Sequence, residues 1–289
     1  MTVDPFVTHR ALLFTVAYEM LGSGADAEDV LQESWLRWTA VDHSRVHDPR
    51  AYAIRIVTRQ ALNRLRTLSR RREQYVGEWL PEPLLTRPDI AEDVELAESV
   101  SIAMLTVLET LEPTERAVFV LREVFEMPYV EIAEAVGKPT PTVRQIARRA
   151  RTHVANRRPR VQVDPSEQQA LLQRFLAALQ TGQVQELMDL LAPTVVLIAD
   201  GGGVAPAVLA PIHGVRPVAE LLARAKQVSG TFETAAVWLN GAPAGWITID
   251  GDAGTAVSLE TESGRITRVY LMRNPEKLIH LNEPAELVR

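Results

Sequence analysis

One stretch limits what this chain can become more than any other: PYVEIAEAVGKPTPTVRQIARRARTHVANRRPR, from Pro128 to Arg160. Ile132, Ala133 and Val136 recur at helical spacing, which predicts a short helix with one apolar face. Gly137 follows, and glycine takes a positive φ at little cost. Thr140 is then placed to cap a second helix, and Pro141 suits its first turn because that turn needs no amide donor. Val143, Ile146, Ala147 and Ala150 form the inward face of this helix, with Arg144, Arg148, Arg149 and Arg151 mostly elsewhere. From Lys138 to Arg160 there are eight Lys or Arg and no Asp or Glu. This is the pattern of a helix-turn-helix whose second helix enters the DNA major groove. A surface hairpin with a solvated basic face has the same pattern, and this stretch alone leaves both open.

The rest of the chain sharpens the choice through its charge distribution. The formal net charge of −6 is unusual for a protein that simply coats DNA, but it is unevenly spread. Residues 50–72 carry eight basic and no acidic side chains, whereas residues 1–49 carry three basic and eight acidic ones. Residues 73–100 carry one basic and eight acidic, and residues 161–289 carry nine basic against fourteen acidic. Two basic blocks between acidic stretches suggest two contacts with one polyanion. At 289 residues there is length for two or three domains with cores of their own. Cysteine is absent, so no disulfide or thiolate chemistry is available. The start lacks a basic segment followed by a long apolar run, and no eighteen-residue apolar stretch occurs, so neither a secretory signal nor a membrane span is expected.

Taken in order, residues 6–21 read as one amphipathic helix with Phe6, Leu13, Ala17 and Met20 inward, broken at Gly22-Ser23-Gly24. A second helix begins at Asp26 with a carboxylate-rich first turn, and Val30, Leu31, Ser34, Trp35 and Trp38 cluster along it. Asp48 and Pro49 start a third, basic helix whose apolar face is Ala53, Ile56, Val57 and Ala61. These three make an all-helical domain over residues 1–75. Residues 76–96 hold three prolines and many acids, with Trp79, Leu80, Leu84 and Leu85 awaiting a surface to pack on. A helix is expected to resume near Ala91 and run to Leu111. A second helical domain, residues 97–160, ends in the helix-turn-helix. Residues 161–289 read helix, helix, strand, helix, then several strands, an α+β order in which the early helices cover one face of a curved sheet and leave a cavity.

Five signatures in order give the chain a family resemblance: FVTHRALLFTVAYEMLGSGADAEDVLQESWLRW with DPRAYAIRIVTRQALNRLR, WLPEP, LEPTERAVFVLREVFEMPYVEIAEAVGKPTPTVRQIARRAR, DGGG and NPEKL. The chain resembles an extracytoplasmic-function (ECF) RNA polymerase sigma factor with a fused C-terminal NTF2-like, or SnoaL-like, domain, of the mycobacterial sigma J type. The resemblance implies a cytoplasmic initiation factor, not an enzyme, with no cofactor or metal and no membrane contact. Its partners would be promoter DNA and core polymerase, through the β′ clamp helices and the β flap. A separate anti-sigma factor is compatible but not required. The first domain would be region 2, with Asp26, Glu28, Asp29, Glu33 and Trp38 on or supporting the polymerase-facing helix. Arg55, Arg59, Gln60, Asn63, Arg64, Arg66, Arg70 and Arg71 would face the −10 element. The second would be region 4, reading the −35 element with Thr140, Thr142, Arg144, Gln145, Arg148 and Arg149. The third would regulate by packing on the others near Trp79, Leu80, Pro81, Glu82 and Pro83, near Asp200, Gly201, Gly202 and Gly203, and through Asn274, Pro275, Glu276, Lys277 and Leu278. The family loop usually continues with lysine where this chain has Val204, which removes one cation from that contact.

Two rival readings remain at this stage. One is a one-component DNA-binding regulator whose C-terminal pocket senses a small ligand. The other is an enzyme tethered to a DNA module, with Asp200, His213, Asp250 and Asp252 as the available polar groups; neither HExxH nor GxSxG is present.

Overall fold

The computed structural model describes residues 4–72, 74–157, 164–228, 230–251 and 254–289, the side chains of 69–72 excepted. The chain opens with α1 (Pro5–Thr8), α2 (Arg10–Leu21), α3 (Gly24–Thr39) and α4 (Pro49–Arg72). The helix expected over 6–21 breaks at His9, whose backbone leaves the helical region. Nor is α2 amphipathic: every residue from Leu12 to Leu21 is buried, because helices pack around it on all sides. Helix α3 starts two residues before Asp26, where the Ser23 hydroxyl accepts from the Asp26 amide at 3.1 Å. Asp48 caps α4 through the Ala51 amide at 3.0 Å.

The helix expected from Ala91 to Leu111 is two: α5 (Val94–Ser99) and α6 (Ile102–Leu108). The break has a local cause, since the Ser101 hydroxyl takes the Met104 amide at 3.1 Å and starts a new helix. Helix α7 (Pro113–Phe119) runs into a π-helical turn, Val120–Val124, and α8 (Tyr129–Val136) ends at Gly137 with φ 67°. Helix α9 (Thr140–Ala155) completes the helix-turn-helix. Its cap position is Pro139 with no side-chain bond, so Thr140 sits in the first turn and does not cap. The apolar residues of both helical domains form one continuous cluster.

Next come α10 (Pro165–Thr181), α11 (Val184–Leu190), β1 (Leu191–Asp200), β2 (Ile212–His213) and α12 (Val215–Gln227). Strands β3 (Phe232–Leu239), β4 (Ala242–Ile249), β5 (Thr255–Glu262) and β6 (Arg265–Met272) follow, then α13 (Pro275–Leu278). The sheet order is β2-β1-β6-β5-β4-β3, antiparallel except that β1 runs parallel to β6. Alternation along the strands sends Val257, Val269 and Leu271 toward α10–α12, where Leu172, Phe175, Val218 and Leu222 pack the face. Ala256, Tyr270 and Met272 point the other way and are covered by Leu80 and Ile102 from outside the domain. The expected cavity under the helices is thus packed, and a cleft of about 1100 Å³ lies instead between α5, α6, α9 and the β4–β5 side of the sheet.

Candidate nucleic-acid interface

Helix α9 keeps Val143, Ile146, Ala147, Ala150 and Val154 in the core, which leaves Thr142, Arg144, Gln145, Arg148 and Arg149 exposed on the other face. Thr140 is half-buried. Arg144 lies over the Tyr129 ring at 5.7 Å, and Arg149 stands 3.4 Å from Glu115. His153 is tied to the Thr110 hydroxyl at 2.7 Å, a packing role within the domain. This face offers cations and an amide at the protein surface, the arrangement that major-groove reading needs.

The basic face of α4 is not open in the same way. Arg55 pairs with the Glu134 carboxylate at 2.7 Å, and Arg59 donates to the Glu134 carbonyl at 2.8 Å. Glu134 lies in the last turn of α8, where the helix dipole adds negative potential. Arg64 is held by Asp26 and Asp29 of α3, both at 2.7 Å. Gln60 is buried and donates to Glu33 at 3.0 Å, so it supports α3 and presents no amide to a base. Asn63 and Arg66 are exposed, while the side chains of Arg70 and Arg71 lie outside the described residues. On α3, Glu28 pairs with Arg10 at 2.6 Å, and Glu28, Asp29 and Glu33 reach the surface. Trp38 does not: it is 1% exposed, donates to Asp4 at 3.0 Å and stacks near His43, supporting the helix from within.

A buried polar node joins the third domain to residues 75–86. Asp200, at the end of β1, is fully buried and accepts from Lys277 Nζ at 2.7 Å, the Leu80 amide at 2.9 Å and the Tyr75 hydroxyl at 2.5 Å. Lys277 also donates to the Leu80 carbonyl at 2.5 Å and sits 3.2 Å from the centre of the Trp79 ring. Burial, then the neighbouring Asp200 carboxylate, pushes the Tyr75 phenol well above its usual range. Asn274 caps α13 and donates to Tyr75 at 2.9 Å. The glycines are needed for this approach: Gly202 has φ +64°, and a Cβ there would stand 2.4 Å from the Asn274 amide nitrogen. Val204, where the resemblance led to an expected lysine, is 70% exposed; the cation on Asp200 is Lys277, from NPEKL.

A second polar node lies at the β3–β4 turn, across β6 and β5 from the first. Asn240 accepts from the Leu84 amide at 2.9 Å and donates to the Tyr18 hydroxyl at 2.6 Å and the Val100 carbonyl at 2.8 Å. One side chain thereby links the β3–β4 turn to Leu84, just after WLPEP, to α2 and to the end of α5. The Glu82 carboxylate sits at the start of α3, taking the Ser23 hydroxyl at 2.7 Å and the Ala25 amide at 3.3 Å. Between the two helical domains, Arg116 donates to the Glu19 carbonyl at 2.9 Å and pairs with Glu109 at 2.6 Å. Burial pushes the Glu19 carboxyl up to about 8, partly offset by the Ser99 hydroxyl and by Arg116. Tyr75, Asn240 and the Glu19–Arg116 contact were not legible as site residues, since each is a single polar residue in an ordinary context. The one faint signal is Asn240-Gly241, a turn dipeptide.

The groups considered for catalysis are otherwise engaged or dispersed. Asp200 is bound by Lys277, Asp250 accepts the Thr231 amide at 2.7 Å, His213 is exposed on β2, and Asp252 lies outside the described residues. Among the described residues, no group of three His, Asp or Glu is placed to hold a metal.

The fold and its exposed basic helix define a multidomain DNA-binding protein: two helical modules, the second a helix-turn-helix, followed by an α+β domain. Residues 6–71 match the family model for Sigma-70 region 2, and residues 101–154 match that for Sigma-70, region 4. The chain is 34% identical to the ECF RNA polymerase sigma factor SigJ of Mycobacterium tuberculosis, over 96% of this chain and 93% of that one. It is 29% identical to the probable ECF sigma factor SigI of the same species, over 93% and 92%. The crystal structure of M. tuberculosis SigJ superposes with a TM-score of 0.75 at 30% identity, covering 97% of this chain and 99% of that one. The chain belongs to the ECF RNA polymerase sigma factors. It is an initiation factor that binds core RNA polymerase and directs it to selected promoters, and its family is not one of enzymes.

Proposed function

We propose that this sigma factor is held by its own C-terminal domain in an arrangement that leaves the −35 reader open and covers part of the −10 reader. The observation that carries this is Glu134 of α8 holding both Arg55 and Arg59 of α4. In a promoter complex, Thr142, Arg144, Gln145, Arg148 and Arg149 contact the −35 element, with Thr140 at the helix start. Arg55, Arg59, Asn63, Arg64 and Arg66, together with Arg70 and Arg71, contact the −10 element after α8 has moved away. Glu28, Asp29 and Glu33, with Asp26 behind them, form the acidic edge that meets the β′ clamp helices, while region 4 meets the β flap. The Asp200–Lys277 node and Asn240 fix the WLPEP segment, and so restrain how far the two helical domains separate. No separate anti-sigma factor and no small ligand is required for this restraint, and the work is done beside polymerase in the cytoplasm.

The test is transcription by purified core polymerase with and without this protein. Initiation from a cognate promoter only in its presence, changed in yield by Lys277→Met, is expected. Failure to bind core, or indifference to that substitution, would sink the reading.

A further inference from the structure

We infer that residues 283–289 form an intramolecular strap that holds the third domain onto region 2. After α13 the chain turns back and leaves its own domain. The Ala285 amide donates to the Leu85 carbonyl at 2.8 Å, and Leu85 is itself bridged to Leu239 at the end of β3. Leu287 is 3% exposed and belongs to the apolar cluster that holds Leu12, Val16, Leu96 and Val100. The Val288 amide donates to the Thr15 hydroxyl of α2 at 3.1 Å, and Thr15 is fully buried. Arg289 then pairs with Asp93 at 3.0 Å and with Glu95, just before and within α5. A segment of seven residues thus touches α2 and α5 as well as the 76–96 segment, which NPEKL meets separately through Leu80 and Trp79.

The parts are unequal. Arg289, Asp93 and Glu95 are all partly or largely exposed, so their pairing contributes little. Leu287 is the anchor: a leucine fully removed from water biases an equilibrium by roughly tenfold or more. The rest of the strap is mostly exposed (Glu283, Pro284 and Glu286 all lie at the surface), so it can lift without unfolding either domain. The strap therefore works as a displaceable ligand carried in cis, whose release lets the third domain swing away from α2.

This inference rests on the regulatory reading above. The chain contains no cysteine, so Val7→Cys and Val228→Cys, both at exposed positions, allow two spin labels to report the distance between region 2 and the third domain. Removal of residues 283–289 from the otherwise full chain should broaden that distance toward longer values. It should also change transcription with core polymerase by roughly tenfold. Added peptide EPAELVR should restore the short distance in the truncated protein, which a purely structural role would not produce. Should the truncated protein fold poorly, Leu287→Ser with Arg289→Glu in the full chain makes the same measurement. An unchanged distance, or unchanged transcription, overturns the strap. If Lys277→Met still alters transcription in that case, the regulation through Asp200 stands and only the strap falls. If neither variant alters it, both fall.

Discussion

Helices α4 and α9 are both basic and both amphipathic, and both are proposed to meet promoter DNA, yet they stand in opposite states. Around α9 the exposed arginines face outward, with Arg148 toward solvent. Around α4, Arg55 and Arg59 are taken by α8, and Arg64 by α3. The difference does not come from composition. In the proposed function it comes from what the third domain does to the segment between them. Asp200, Lys277 and Asn240 hold residues 75–86 against the sheet, which keeps the two helical domains in one apolar cluster with α8 against α4. A reader of DNA can be silenced by its neighbour as effectively as by its own sequence.

The comparison breaks most visibly at the buried ion pair. Lys277→Met leaves Asp200 charged and buried without its cation, a loss of about 3–5 kcal/mol. Hydrogen exchange across residues 75–86 should rise sharply, and α4 should become as accessible as α9. Adding Asp200→Asn to Lys277→Met should recover part of the loss, because the stranded charge is then gone.

Arg148→Ala probes the open helix alone. It should weaken binding to −35 duplex DNA by about 1–3 kcal/mol if Arg148 reads a base edge. Hydrogen exchange of α4 should be unchanged. A change there would show that the two helices are coupled through more than α8.

Glu134→Ala probes the covered helix and should act in the other direction. The pair is partly exposed, so the change in stability should stay within about 0.2–1 kcal/mol. Arg59 retains the Glu134 carbonyl, so Arg55 is the residue released. Affinity for −10 DNA should rise modestly, measured by anisotropy with a single-stranded −10 probe, and −35 affinity should not move.

The smallest effect is on pH. Glu19 is held protonated by burial, with its carboxyl raised from 4.5 to about 8. Folding thus takes up a proton, so this contribution is fully present below about 4.5 and is lost as pH rises through about 8. Thermal midpoints of the native protein should fall across that window relative to Glu19→Gln, which lacks the titration. Parallel curves for the two proteins would show that Glu19 is ionised in the native state.

How much was legible depended on whether the signal was local. The helix-turn-helix follows from apolar spacing and Gly137, and the sheet from alternating strands and glycine turns. The start of α4 follows from Asp48 and Pro49. Local patterning misplaced elements where tertiary contacts override it. Helix α2 is wrapped on all sides, so its periodicity carries no face. Ser101 claims an amide and cuts the expected helix over 91–111 in two. Gln60 and Trp38 have chemistry suited to a partner surface, yet each is spent on packing α3.

By itself, then, the sequence determined the identity and order of the parts: two helical domains, a proline-bearing segment, and an α+β domain with its glycine loop. Backbone conformation and apolar periodicity act over a few residues, so one chain is enough to read them. Only the tertiary structure decided which cation meets Asp200, that α8 lies on α4, and that Leu287 returns to α2. Those contacts join Asp200 and Lys277, Arg55 and Glu134, and Thr15 and Val288 next to Leu287, which stand 77, 79 and 273 positions apart, and nothing local to either partner marks the other. They form because burying Asp200, Tyr18 or Thr15 requires a polar partner at hydrogen-bond distance, and the fold brings in the residue that can supply it.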